Sequence, residues 1–204
     1  MKKLFLIFTL ISSLASAQEL DSLALDTLAL DTLEKPLPPY YGGIFFEVKG
    51  SLEPSTPEKN ILSGYGVGIQ YKKWIIGFNR FDTQGKVEAL VIFPNIFELK
   101  YRYGGPFIAF SAIETSSLSI IFRAGYYQGD MTWQRKEDEE AFLRDEFTLL
   151  KGAIIGEFSR FRYAKPYISI GLQEMKDLDL ASVENEDFSG LFFAVGLRIG
   201  YFNQ

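Results

Sequence analysis

Apolar residues recur at every second position through most of the chain from Tyr40 onward. The clearest case is the segment 190–201, where alternate positions form an unbroken apolar row: Leu191, Phe193, Val195, Leu197, Ile199 and Tyr201. The residues between them are mostly small, and one of them, Arg198, is charged. A period of two places successive side chains on opposite faces of an extended strand. The pattern therefore predicts a β-strand with one apolar face and one polar face.

Six further segments show the same alternation, at residues 44–49, 64–71, 74–79, 118–125, 150–158 and 168–173. Repeated alternation without intervening helical periodicity indicates an antiparallel meander rather than βαβ units. The stretch 82–114 is less regular. One strand near 98–114 gives eight strands in all, whereas breaks at Pro94 and at Gly104–Pro106 give ten. The modest length of the chain after Tyr40 favours eight, and ten remains the alternative.

The connections between these segments fall into two length classes. Lys72–Lys73, residues 115–117 and Ala164–Lys165 are predicted to be tight turns, while 51–60, 129–147 and 175–188 are long, polar stretches. Short turns at one rim and long loops at the other are typical of transmembrane β-barrels. A soluble sandwich has no reason to sort its loops in this way.

The polar faces of the strands decide which side of the sheet is the interior. They contain mainly Gly, Ala and Ser, such as Gly64, Gly66 and Gly68, with single charges between them. The outer wall of a soluble barrel would instead carry Lys, Glu and Thr. A narrow eight-stranded interior needs small residues and a few charges of opposite sign that meet one another. We therefore predict a paired charge network in the lumen, formed by Glu47, Lys49, Arg123, Lys151, Glu157 and Arg198.

Aromatic residues next to the short turns support an apolar face that contacts lipid. Five of them are expected at one rim: Tyr71, Trp74, Tyr163, Tyr167 and Tyr201. Tyr and Trp concentrate where a membrane protein meets the lipid headgroups. These residues are therefore predicted to form an interfacial girdle.

The first 39 residues differ from the rest. A basic start, an apolar run from Leu4 to Leu14 and the small residues Ala15-Ser16-Ala17 predict a cleaved signal peptide over 1–17. The apolar run is too short for a transmembrane helix. Residues 18–39 contain a five-residue Leu/Asp repeat and a Pro-rich end, which predict a flexible periplasmic leader. A partner-binding motif of paired Leu residues is the alternative interpretation of this repeat.

Composition excludes several classes of function. The chain has no Cys, so disulfides and thiolate metal sites are impossible, and a formal net charge of −5 without a basic stripe argues against nucleic acid. It also has no His, the usual base at working pH. The acidic stretches lack the spaced pattern of a dedicated calcium loop. We therefore expect no enzymatic activity, cofactor or metal.

From residue 40 to 204 the chain resembles the small outer-membrane β-barrels of Gram-negative bacteria, the porin-like group of eight-stranded barrels. The resemblance rests on the alternation, the loop asymmetry, the signal peptide and the terminal strand. It implies an all-β, antiparallel up-and-down transmembrane β-barrel in the outer membrane, in contact with its lipids and inserted by the barrel assembly machinery. Family barrels usually end on an aromatic residue, whereas this chain ends Tyr201-Phe202-Asn203-Gln204.

Three functions follow from such a barrel. A structural or surface-interaction role needs only a rigid wall and exposed loops, and the sequence favours it. A narrow channel for small solutes is the alternative, and a histidine-independent barrel enzyme is the third. Trp133 and Phe142, two aromatics in the charged stretch 129–147, are the predicted contacts for an unknown surface partner.

Overall fold

The computed structural model describes residues 42–54, 60–83, 89–92, 95–135, 141–159, 163–180 and 184–202. The chain divides into two units, Met1–Leu37 and Pro38–Gln204, and every described residue lies in the second. The predicted signal peptide and leader lie outside the described residues. Those residues form nine strands: β1 (Gly42–Glu53), β2 (Asn60–Tyr71), β3 (Trp74–Thr83), β4 (Ala89–Ile92), β5 (Asn95–Glu114), β6 (Leu118–Arg135), β7 (Ala141–Phe158), β8 (Ala164–Lys176) and β9 (Gly190–Phe202).

Eight of these strands close into an antiparallel up-and-down barrel. Strands β1 to β3 pair in chain order, and so do β5 to β9; β1 pairs with β9, and the β3–β5 pairing completes the ring. The short strand β4 pairs only with β5 and forms a hairpin extension of the wall. The predicted eight-stranded fold is confirmed.

Strand β5 runs unbroken through Gly104–Pro106, where the ten-strand alternative required a break. Pro106 opposes Phe78 of β3, while the ladder toward β6 passes from Gly104 to Phe107 without pairing the two residues between them. Proline has no N–H to donate to a ladder. The sheet accepts Pro106 because the missing donor falls in a gap of the β5–β6 pairing.

The prediction of a long loop over 129–147 is wrong. Strands β6 and β7 pair up to Gln134 and Ala141, with one register shift between Trp133 and Gln134, so the described part of this stretch is a long hairpin. Residues 136–140 lie outside the described residues. The acidic run hides an alternation in which Met131, Trp133 and Phe147 face inward. Strands β5, β6 and β7 continue past the ends of β3 and β8, whose pairings stop at Arg102 of β5 and Thr148 of β7. We call this protruding three-stranded part of the wall the sheet extension.

In strands such as β2, β8 and β9 the apolar row points outward and the small or charged residues point inward. Val67, Ile168 and Val195 are 55%, 59% and 62% exposed, whereas Glu47 and Phe45 are buried. The glycines of β2 face the interior, where a Cβ at Gly64 would lie 2.6 Å from the Phe81 ring. Small residues at this position let the barrel close around its side chains.

Four of the five predicted girdle residues, Tyr71, Trp74, Tyr163 and Tyr201, are exposed at the rim with the short turns. The fifth, Tyr167, is only 3% exposed, so its assignment to the girdle is wrong. Tyr167 follows Pro166 on β8 and shares the inward face with Lys165 and Ser169. At the opposite rim a 3₁₀ turn covers Asn185–Phe188. No helix among the described residues has the length and apolar character needed to cross a membrane.

Candidate functional site in the barrel lumen and at its outer end

Glu47 is the centre of the buried charge network in the lumen. Arg123 reaches across from β6 and binds it with both terminal nitrogens, Nη1 to Oε1 at 3.0 Å and Nη2 to Oε2 at 2.9 Å. Arg198 donates from Nε at 3.3 Å and Lys49 from Nζ at 3.0 Å. The Asn79 amide, oriented with its nitrogen toward Glu47, donates to Oε1 at 2.9 Å and accepts from Lys49 at 2.7 Å. One carboxylate thus neutralises part of the charge of three cations.

Arg198 joins this centre to a second carboxylate nearer the short-turn rim. Its Nη1 donates to Glu157, and Lys165 lies 3.7 Å from the other oxygen of the same carboxylate. The structure therefore brings five of the six predicted lumen charges into one network. Lys165 was predicted to belong to a tight turn. It instead belongs to β8 and points into the lumen.

The sixth predicted residue, Lys151, forms a separate ion pair. It donates to Glu53 and, at 2.6 Å, to the hydroxyl of Tyr103, which itself donates to Glu53. Glu53 is absent from the predicted network because residues 51–60 were assigned to a loop. The inward row Phe45, Glu47, Lys49, Ser51 and Glu53 continues the alternation of β1, and this signal could have identified it.

Aromatic and aliphatic side chains fill the half of the lumen that lies away from the short turns, which we call the outer half. The Phe81 ring stacks on Tyr103 with centroids 4.8 Å apart, and Tyr101 meets Phe188 edge to face at 5.4 Å. A second apolar cluster, which includes Phe45, Phe107 and Phe202, fills the rim with the short turns. Interiors packed in this way leave few voids larger than a water molecule. The lumen of the described barrel is therefore a packed core.

The described residues between β8 and β9, 177–180 and 184–189, fold over the end of the lumen opposite the short turns. Leu178, Leu180 and Phe188 are buried in the same cluster as Trp133. Gln173 donates to the carbonyl of Phe188 at 2.8 Å, and the Ser189 hydroxyl accepts from the backbone of Met175 at 3.0 Å. The described part of the predicted loop 175–188 is thus a packed cap on the barrel.

Trp133 is buried in this cluster at 2% exposure, so the expectation that it is an exposed contact is wrong. It lies on the inward face of β6, where the burial of a large aromatic surface outweighs its neighbourhood of charges in the sequence. Phe142 falls at the start of β7, and its side chain lies outside the described part of the chain.

The outward face of the sheet extension carries exposed charges. Asp130 accepts from Arg102 at 2.9 Å and lies 3.6 Å from Arg144, and the two arginine side chains are 51% and 56% exposed. Surface ion pairs of this kind contribute little stability, about 0–1 kcal/mol. These charges show that the outward face of the sheet extension is polar, unlike the apolar outer wall of the rest of the barrel.

The described residues contain no group of three His, Cys, Asp or Glu side chains able to hold a metal ion. The buried carboxylates Glu47, Glu53 and Glu157 are each bound by at least one cation. A carboxylate held in this way is a structural counter-ion, and it is poorly suited to act as a base.

No protein-family model and no curated protein sequence matches the chain. Its fold is similar to two solved small outer-membrane barrels. For Neisserial surface protein A the TM-score is 0.60 at 8% identity, over 78% of this chain and 96% of that one. For the N-terminal β-barrel domain of Pseudomonas aeruginosa OprF the TM-score is 0.55 at 10% identity, over 79% and 99%. At these identities the likeness establishes the eight-stranded fold and nothing finer.

Proposed function

We propose that the chain is a non-enzymatic barrel of the bacterial outer membrane, exported through a cleaved signal peptide, that presents its outer end to a surface partner. The observation that carries this proposal is the outward apolar wall, with residues such as Val67, Ile168 and Val195 more than half exposed. An exposed apolar surface of this extent marks a contact with lipid or protein. A closed barrel satisfies its backbone hydrogen bonds internally, which lipid requires.

The sheet extension is the part that we propose for partner binding. It stands on a packed core that includes Trp133 and Tyr101, so its charged outward face is held rigidly. Rigid, polar surfaces at the ends of strands are common positions for binding residues. Arg102 and Arg144 share the carboxylate of Asp130, and Asp82 and Glu146 lie opposite Arg102 and Asp130 on the same face, which therefore offers charges of both signs to a partner.

Charge reversal on the extension tests this role. We expect cells that display R102E/R144E to bind less to immobilised extracellular glycoproteins and polysaccharides than cells that display the unchanged chain. The matched control is K176E, which changes an exposed charge on β8 outside the extension. Equal loss of binding by both variants, or no loss by either one, would contradict the proposed surface.

A closed lumen predicts the absence of steady conductance. Protein reconstituted in planar bilayers is expected to give no large, sustained single-channel currents, because Glu47, Arg123 and Arg198 bridge the lumen and aromatic residues fill it on both sides. Protein that lacks residues 136–140 is also expected to give no sustained single-channel currents. Sustained currents from the unchanged chain would favour the channel alternative.

A further inference from the structure

The buried charges of the lumen do not balance. In the described barrel five cations have side chains at most 8% exposed, and only three carboxylates are buried with them. The cations are Lys49, Arg123, Lys151, Lys165 and Arg198, and the carboxylates are Glu47, Glu53 and Glu157. Taking a charge out of water is costly unless an opposite charge compensates it. When all five cations are protonated, two positive charges lack a counter-ion among these groups.

Three of the five cations surround one cavity. Lys49, Arg123 and Lys151 line a space of about 30 Å³ in the middle of the lumen, together with Tyr127 and Tyr167. No acidic residue lines this space in the described part of the chain. A single water molecule needs roughly 10–15 Å³ of such space. The cavity therefore has room for a small molecule or ion.

Two polar groups on the lining side chains have no hydrogen-bond partner among the described residues. They are Nε of Arg123 and the hydroxyl of Tyr167, and both are buried. The two terminal nitrogens of Arg123 each donate to Glu47, whereas its Nε–H has no acceptor in the described part of the barrel. Buried donors are rarely left unpaired, because each one loses its hydrogen bonds to water. Both residues line the cavity. An acceptor bound in the cavity would therefore also lie next to the buried cations.

We propose that this cavity binds one small monovalent anion, chloride under ordinary conditions. A halide supplies a negative charge near Lys49, Arg123 and Lys151, and it accepts hydrogen bonds from Arg123 Nε and the Tyr167 hydroxyl. A water molecule fits the same volume but leaves the charge imbalance unchanged.

Bromide provides a direct test with the unchanged protein. Crystals grown from detergent-solubilised barrel in bromide are expected to show an anomalous scattering peak between Lys49, Arg123 and Lys151. The thermal midpoint of the barrel is expected to rise when chloride replaces gluconate at constant ionic strength, because a ligand that binds the folded state stabilises it. A cavity without a bromide peak in the unchanged protein would overturn the proposal.

Two single-charge variants form a matched pair. Lys49→Met removes a cation that lines the cavity, while Glu47 keeps Arg123 and Arg198 as partners. Lys165→Met removes a buried cation that does not line it, while Glu157 keeps Arg198.

We expect K49M to lower the chloride affinity on the order of tenfold, since one charged partner is lost. K165M is expected to keep the affinity of the unchanged chain. An equal chloride response in both variants would contradict a local site, and if K49M fails to fold, the bromide experiment decides alone.

Discussion

Replacing Glu47 by glutamine is expected to destabilise the barrel by about 3–5 kcal/mol, because breaking a buried ion pair leaves its partners uncompensated. The Glu47 side chain is fully buried and accepts hydrogen bonds from Arg123, Arg198 and Lys49. Glutamine has almost the same shape but no charge, so the loss reports electrostatics rather than packing. Urea unfolding from lipid vesicles, followed by tryptophan fluorescence and by the heat-modifiable shift on gels, measures the effect.

The control for this prediction is Glu174→Gln. Glu174 also faces a lysine, Lys176 at 3.8 Å, but both side chains are at least 30% exposed on the outside of β8. A surface pair contributes about 0–1 kcal/mol, so E174Q is expected to unfold almost like the unchanged chain. Equal stabilities of E47Q and E174Q would show that Glu47 is not the centre of the lumen network.

Replacing Trp133 by alanine is expected to destabilise the outer half of the barrel by about 3–5 kcal/mol, the usual cost of a buried aromatic truncation. Trp133 lies in the cluster that includes Tyr101, Met131 and Phe188, so its loss opens a cavity beneath the cap. Chemical unfolding measures the global loss. Limited proteolysis within 177–189 is expected to become faster, since the cap loses a packing partner.

Leu143→Ala is the matched control, because Leu143 opposes Trp133 across the β6–β7 pairing and is 39% exposed. A truncation at this exposed position is expected to have a small effect. If Trp133 were a surface contact, W133A would unfold like L143A while losing the binding of a partner. That result would support the sequence-based interpretation of Trp133 as an exposed partner contact.

The alternation of the sequence predicted most of the fold. It identified the faces of the strands and the inward position of charges such as Glu47 and Arg198, since the period of two fixes faces directly. The choice of eight strands over ten came from the length of the chain after Tyr40. The alternation did not predict the register of the strands or the side-chain contacts across the lumen. Glu47 opposes Arg198 across the β1–β9 pairing, but Arg123 contacts Glu47 from β6 across the lumen. Contacts of that second kind depend on barrel closure, which no single strand encodes.

The errors occurred where charge density obscured the alternation. Glu53 and Trp133 were assigned to loops because prolines or acidic residues follow them in the sequence. Both nevertheless continue the inward row of a strand and are buried. In a barrel with a polar outer end, outward charges and inward aromatics alternate as regularly as the lipid-facing strands do. Hydropathy averages hide this pattern, whereas comparing every second residue recovers it.

We expect the outward apolar wall to lie in a membrane and the sheet extension to lie outside the cell. The chain has no cysteine, so single cysteine substitutions give a clean map of water access. Three positions with exposed side chains serve this purpose: Arg144 on the extension, Val67 on the apolar wall and Ser117 in a short turn.

A membrane-impermeant maleimide applied to intact Gram-negative cells is the most direct measurement. The account predicts labelling of R144C on intact cells, labelling of S117C only after the outer membrane is permeabilised, and no labelling of V67C until the protein is unfolded. Ready labelling of V67C in native membranes would contradict the account, because it would place the apolar wall in water.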